Sequence, residues 1–136
     1  MRLIAATMCI ALVGTLPVSA KSFRAVNRLV VNPVSANEFE VIESNGAGAR
    51  QIWCAAAEYN ERVLGNTRET ELIVKTKRGP SATDPGRKGV VFTNNPANVS
   101  APITKSVSVS VNTPGMSLPS HHARTFCRDT FSRSRR

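Results

Sequence analysis

Two cysteines set the strongest constraint on what this chain can fold into. The sequence holds three, Cys9, Cys54 and Cys127, but Cys9 lies in a segment that reads as a cleaved export signal. Met1-Arg2 gives it a cationic start and Leu3 to Val13 an apolar run. Gly14 and Pro17 interrupt that run, and Val18-Ser19-Ala20 places small side chains just before Lys21. The apolar run is well short of the roughly 20 residues a bilayer span needs, and Cys9 sits inside it rather than at the cleavage boundary a lipid anchor would require. The expected plan is a signal peptide over 1–20, one domain over 21–131 and a disordered basic tail over 132–136, delivered to the periplasm or the extracellular space. In such an oxidising compartment an even pair of cysteines reads as a disulfide. Joining Cys54 to Cys127 closes a loop through most of the domain, which in the chain-entropy model stabilises by up to about 4–5 kcal/mol.

Charge is the second constraint. The whole chain carries 18 Lys and Arg against 9 Asp and Glu; without Arg2 the excess is +8, and without the tail residues Arg133, Arg135 and Arg136 it is +5. A basic excess of this kind favours polyanions and acidic partners. It is spread over many positions, so it also suits an exported protein with a merely basic surface.

Periodicity predicts an α+β domain of about five mostly antiparallel strands and two helices tied by the one disulfide. Phe23 to Val31 reads as a first strand ended by Asn32-Pro33, and Glu38 to Ile42 as a second, with Phe39 and Val41 on one face and Glu38 and Glu40 on the other. Ser44 or Asn45 is the expected cap of a helix over 49–64. Ile52, Trp53, Ala56, Tyr59, Asn60 and Val63 form its buried stripe, and Gly65 its C-terminal stop. Strands are expected over 69–77, 89–93 and 105–112. The last alternates without fault, Val107, Val109 and Val111 inward and Ser106, Ser108 and Ser110 outward. Ser117 and Pro119 suit the start of a second helix carrying Leu118, His122, Ala123, Phe126 and Cys127 on one stripe.

Chemistry-bearing motifs are few. The segment from Lys77 to Lys88 is basic and rich in Gly and Pro, but Gly79 and Gly86 are spaced too far apart for a phosphate-binding loop. Arg87-Lys88-Gly89 also replaces the Lys-Ser/Thr pair, and a strand follows instead of a helix. What remains is a mobile loop whose two ends gather Lys77, Arg78, Arg87 and Lys88 into an electrostatic contact. His121 and His122 are adjacent, so on a helix they diverge by about 100° and cannot chelate one metal together; no metal site and no cofactor are expected. His121 is expected exposed and His122 packed. Cys54 near a helix start with His121 or His122 nearby is the one arrangement that would support a nucleophile. No Cys-x-x-Cys, no Gly-x-Ser-x-Gly elbow and no pocketed pair of carboxylates accompanies it. Asn98-Val99-Ser100 matches an N-glycosylation triplet. The aromatic residues fall at core positions, which leaves little for stacking on nucleic acid bases.

The expectation from sequence is therefore an exported, non-catalytic domain. It binds a protein partner or polyanion through Lys77, Arg78, Arg87 and Lys88, without specific nucleic acid recognition and without a membrane span in the mature chain. The alternative is a thiol-dependent enzyme using Cys54 with His121 or His122. A third option places polyanion binding mainly in the arginine tail.

Overall fold

The computed structural model describes residues 21–105 and 107–129; the signal peptide and the basic tail read from the sequence lie outside them. Seven strands form one mixed sheet: β1 (Phe23–Arg24), β2 (Val30–Ser35), β3 (Glu38–Ile42), β4 (Glu71–Pro80), β5 (Lys88–Thr93), β6 (Thr104–Lys105) and β7 (Met116–Pro119). Helix α1 (Ala49–Arg62) lies between β3 and β4 in the chain, and α2 (Ser120–Thr125) follows β7. Spatial order is β1-β2-β3-β5-β4-β7-β6, antiparallel throughout except for the β6–β7 pair. The α+β class and the disulfide agree with the sequence reading; five strands was an undercount, because the run over 23–31 holds both β1 and the start of β2, and β7 occupies the expected start of the second helix.

Alternation along the strands sorts the sheet into two faces. Val31, Phe39, Val41, Leu72, Val74, Val90 and Phe92 join Ile52, Trp53, Ala56 and Tyr59 of α1 in one core. Aromatic rings stitch the layers: Phe39 lies 4.7 Å from Tyr59 and 5.9 Å from Phe92, whose ring meets Trp53 edge-on at 4.9 Å. Helix α1 is buried along nine consecutive residues, Ile52 to Asn60. That is more than the expected stripe and takes in Glu58, whereas Val63 at the last turn is exposed. Its start also differs: Gly48 is the N-cap, and its N–H donates to Gln51 Oε1 at 2.7 Å. Gly65 follows the helix in the left-handed conformation the stop required, φ 68°.

Three further departures have local causes. Strand β2 runs on through Pro33 to Ser35, because β1 pairs only with Val30 and Val31 and leaves the rest of β2 as an edge, where proline is tolerated. Of the predicted strand over 105–112, Lys105 ends β6 and the described residues 107–112 form no strand; Ser106 lies outside the described residues. Ser108 Oγ accepts from Ser110 N at 3.4 Å and Ser110 Oγ from Asn112 N at 3.2 Å, local turns that compete with a ladder. The carbonyls of Val109 and Val111 are taken by Trp53 Nε1 at 2.9 Å and Arg78 N at 3.1 Å. Val109 and Val111 still pack on the core, but Val107 is 90% exposed. Finally, Ser117 to Pro119 are strand rather than helix start. They pair with Glu71 to Ile73 of β4, Ser117 Oγ donates to Glu71 Oε2 at 2.5 Å, and α2 begins only at Ser120 with Pro119 as N-cap.

A disulfide joins Cys54 of α1 to Cys127, just beyond α2, across 73 residues. It fixes α2 against α1, and the four strands β4 to β7 lie within its loop. None of the described helices is long and apolar enough to cross a membrane. Replacing both cysteines by alanine is expected to lower the unfolding free energy by about 2–4 kcal/mol in a denaturant titration; an unchanged midpoint would show that packing alone holds the two helices together.

Candidate functional site

The expected basic contact sits at the free end of the β4–β5 hairpin. Strand β4 continues to Pro80, which pairs with Lys88, while Gly79 pairs with Gly89. This shortens the connecting loop to residues 81–87, and the loop is tied down. The anchor is Glu40 of β3, which the sequence placed on a solvated outer face and the structure leaves 1% exposed. Its Oε1 accepts from Ser81 Oγ at 2.5 Å, Thr83 Oγ1 at 2.6 Å and Thr83 N at 3.2 Å, and its Oε2 from Ala82 N at 2.9 Å. Ser81 Oγ in turn accepts from Asp84 N at 2.9 Å. Burial alone would push the Glu40 carboxyl up, but the hydrogen bonds from Ser81, Thr83 and Ala82 outweigh it and hold the carboxyl below its ordinary value. Gly89 completes the arrangement: a Cβ there would stand 2.8 Å from Glu40 Cδ, so only glycine leaves room for the pinned carboxylate.

The four basic residues named from the sequence divide into two kinds. Arg78 and Arg87 both turn to Glu43: Arg78 Nη1 donates to Glu43 Oε1 at 3.4 Å, and Arg87 Nη2 to the Glu43 carbonyl oxygen at 3.0 Å. The fit of the first pair is imperfect, since Glu43 Oε2 and Arg78 Nε are buried without a hydrogen-bond partner. Lys77 and Lys88 lie exposed on the adjacent strands β4 and β5; among the described residues, neither ammonium has a hydrogen bond or ion pair. The loop ends thus carry two fastened guanidinium groups and two free ammonium groups.

A second group surrounds the disulfide. Glu58, 2% exposed, accepts from Val26 N at 2.8 Å and lies 3.3 Å from Arg62 and 3.7 Å from Arg124. Arg124 also pairs with Glu61 at 3.0 Å and approaches Cys127 Sγ at 3.7 Å. Cys54, Glu58 and Cys127 bring ligand atoms within 4.8 Å of one another, but the two sulfurs are bonded to each other and Glu58 is saturated by cations. Thiol chemistry has no free sulfur here in the oxidised state. Cys54 is fully buried, and Cys127 is 7% exposed. The histidines sit as expected, His121 exposed with Nδ1 3.2 Å from the Arg68 carbonyl oxygen, and His122 half-buried against Phe126 at 5.5 Å. Among the described residues no hydrogen bond links either ring to Cys54. Asn98 of the glycosylation triplet donates through Nδ2 to Thr93 Oγ1 at 3.2 Å.

Compared with known proteins, the chain matches no protein-family model, no curated protein and no solved structure. Function must be argued from the geometry.

Of the residues that shape the hairpin end, sequence reading missed Glu40, Glu43 and Gly89. The available signal was Ser81 and Thr83, two hydroxyl donors either side of the Ala82 backbone N–H. Because the Glu40 carboxyl is depressed in the fold, its contribution to stability is full above the ordinary carboxylate range and is lost as pH falls through the lower folded value. Amide exchange at Ala82 and Thr83 is expected to accelerate over that acid window before global unfolding, and Glu40→Gln to cost about 2 kcal/mol at neutral pH. Gly89→Ala is expected to cost about 1–3 kcal/mol by overpacking, measured by the same denaturant titration. Full stability in both variants would mean that the loop is not held through Glu40.

Proposed function

We propose that this protein is an exported, non-catalytic binding domain that meets an anionic partner or surface through the basic end of the β4–β5 hairpin. The observation that carries this reading is the division of labour among its cations. Glu40 and Glu43 hold the hairpin end and fasten Arg78 and Arg87, while Lys77 and Lys88 stand exposed on that fixed base, unpaired among the described residues. A rigid support lowers the ordering cost of binding, and exposed lysines attract polyanions without demanding a particular geometry. The Cys54–Cys127 bond supports an oxidising compartment, in keeping with the signal-like segment over 1–20. Thiol-dependent catalysis, the alternative, needs Cys54 reduced.

Binding to a heparin column and to vesicles containing anionic lipid tests the proposal. Lys77→Ala/Lys88→Ala is expected to weaken binding about tenfold at low salt and to flatten its log–log dependence on salt by roughly 1–2, with Lys21→Ala as the control. Retention that survives the double substitution but collapses on deletion of residues 132–136 would transfer the role to the arginine tail. Alkylation with intact-mass measurement is expected to find no free thiol in the exported protein. Two labelled cysteines would revive the Cys54 nucleophile.

A further inference from the structure

Beside the hairpin end, on the face of the sheet turned away from α1, lies a second cationic site. Arg24 of β1 pairs with Val30 of β2, and the pairing of Val31 with Val41 sets Val30 beside Ile42 of β3. Paired residues on neighbouring strands share a face, so Arg24, Val30 and Ile42 form a row across the sheet. The intervening Val31 and Val41 belong to the core under the helix, which puts the row on the opposite side. Val30 and Ile42 form the apolar floor of a depression of about 180 Å³, with Arg24, Arg28, Ser44, Asp84 and Arg87 around it. Three guanidinium charges therefore face a single carboxylate, that of Asp84. Among the described residues the side chains of Arg24 and Arg28 have no hydrogen bond or ion pair, and Arg87 gives only one bond to the Glu43 carbonyl oxygen.

Arg28 is placed there at a conformational cost. Its φ is 70°, a left-handed backbone that favours glycine and is rare for a long side chain. The turn that imposes it is rigid. Arg28 N donates to Ala25 O at 2.8 Å and Ala25 N to Leu29 O at 2.9 Å. The same turn is bolted to α1 by Val26 N on Glu58 Oε2 at 2.8 Å and Asn27 Nδ2 on Gln51 O at 2.7 Å. Arg24 and Arg28 flank one turn and Arg87 belongs to the hairpin loop, so two separate parts of the chain bring three guanidinium groups to one depression. A carboxylate is satisfied by one planar arginine fork, whereas three guanidinium groups around one depression match the greater charge and acceptor number of a tetrahedral oxyanion. The volume lies below the roughly 300–1,000 Å³ of pockets for drug-sized ligands, which limits the occupant to one small group.

We propose that this depression binds a single tetrahedral oxyanion, a phosphate or sulfate group, through Arg24, Arg28 and Arg87, with the Ser44 hydroxyl at its rim. It deepens the proposed function and rests on it in part, because Arg87 serves both the pocket and the hairpin end. The test is an NMR titration of the oxidised protein at low ionic strength with orthophosphate, sulfate and phenyl phosphate, following the amides of residues 24–28, 44 and 87. Saturable shifts at these amides are expected with at least one of the three. Tightest binding by phenyl phosphate would assign a phosphoester on a larger partner, and tightest binding by a free anion would assign the inorganic ion.

Arg28→Gly is the decisive variant, since it relieves the backbone and removes the charge together: its Tm should hold or rise while affinity falls at least tenfold. Arg24→Gln is expected to weaken the same anions severalfold. Shifts that stay linear with all three anions, or an Arg28→Gly protein that binds as well as the parent, overturn the inference. Lys77→Ala/Lys88→Ala separates the two readings. It should leave orthophosphate binding intact while reducing heparin retention, so each can fail without the other.

Discussion

Helix α1 is buried along nine consecutive residues, and the rest of the chain is organised around the need to cover it. A helix enclosed to that extent cannot be served by one sheet face alone. The sheet takes one side through Phe39, Val41 and Phe92. Another side is closed by α2, held by the disulfide, and Val109 and Val111 close the end near Trp53. Burying the helix also buries Glu58, and a buried carboxylate is tolerated only when its lone pairs are taken. The Val26 N–H, Arg62 and Arg124 take them. That one side chain therefore fixes the turn before β2 and the helix after β7, two segments far apart in sequence.

The opposite face of the sheet follows a different rule. There the hairpin end folds back over β3, and Glu40 is its buried acceptor. One carboxylate on the helix side and one on the far side thus each convert loop backbone into ordered structure. Around the second of these gather the cations that stay exposed: Lys77 and Lys88 at the hairpin, and Arg24 and Arg28 toward β1. The acidic residues are largely spent on internal ties that take in Arg62, Arg78 and Arg124, and the basic excess over them is left to face outward.

Much of this was legible in the sequence. The cysteine pair, the extent of α1, its stop at Gly65, strand β3 and the packed and exposed histidines all follow from local pattern and compartment. What local pattern missed was decided by long-range partners. Alternation cannot tell whether Glu40 meets water or four donors on three residues 41 to 43 positions away. The serine–valine alternation over 106–111 has the period of a strand, but the carbonyls of Val109 and Val111 are claimed by Trp53 and Arg78 while Ser108 and Ser110 accept from nearby backbone. Val109 and Val111 therefore close over the core without a ladder. Ser117-Leu118-Pro119 looks like a helix start because the same residues suit a strand end, and only the free edge of β4 decides between them. The arginine pocket was invisible for a related reason: Arg24 and Arg28 flank one turn while Arg87 belongs to the β4–β5 loop, and only the folded sheet brings the two stretches together.

The short length of β1 has a consequence of its own. Beyond Val31, one side of β2 is unpaired among the described residues, and an open strand flank is where a second protein chain can add on and start an aggregate. Here that flank begins with Asn32 and continues into Pro33, which has no N–H to offer, and the pairing with β3 shifts register between Pro33 and Ser35. The same proline that sequence reading took for the end of a strand instead blunts the strand's outer edge. An edge closed by proline and a register shift keeps the sheet from growing by strand addition, whatever other chains surround it.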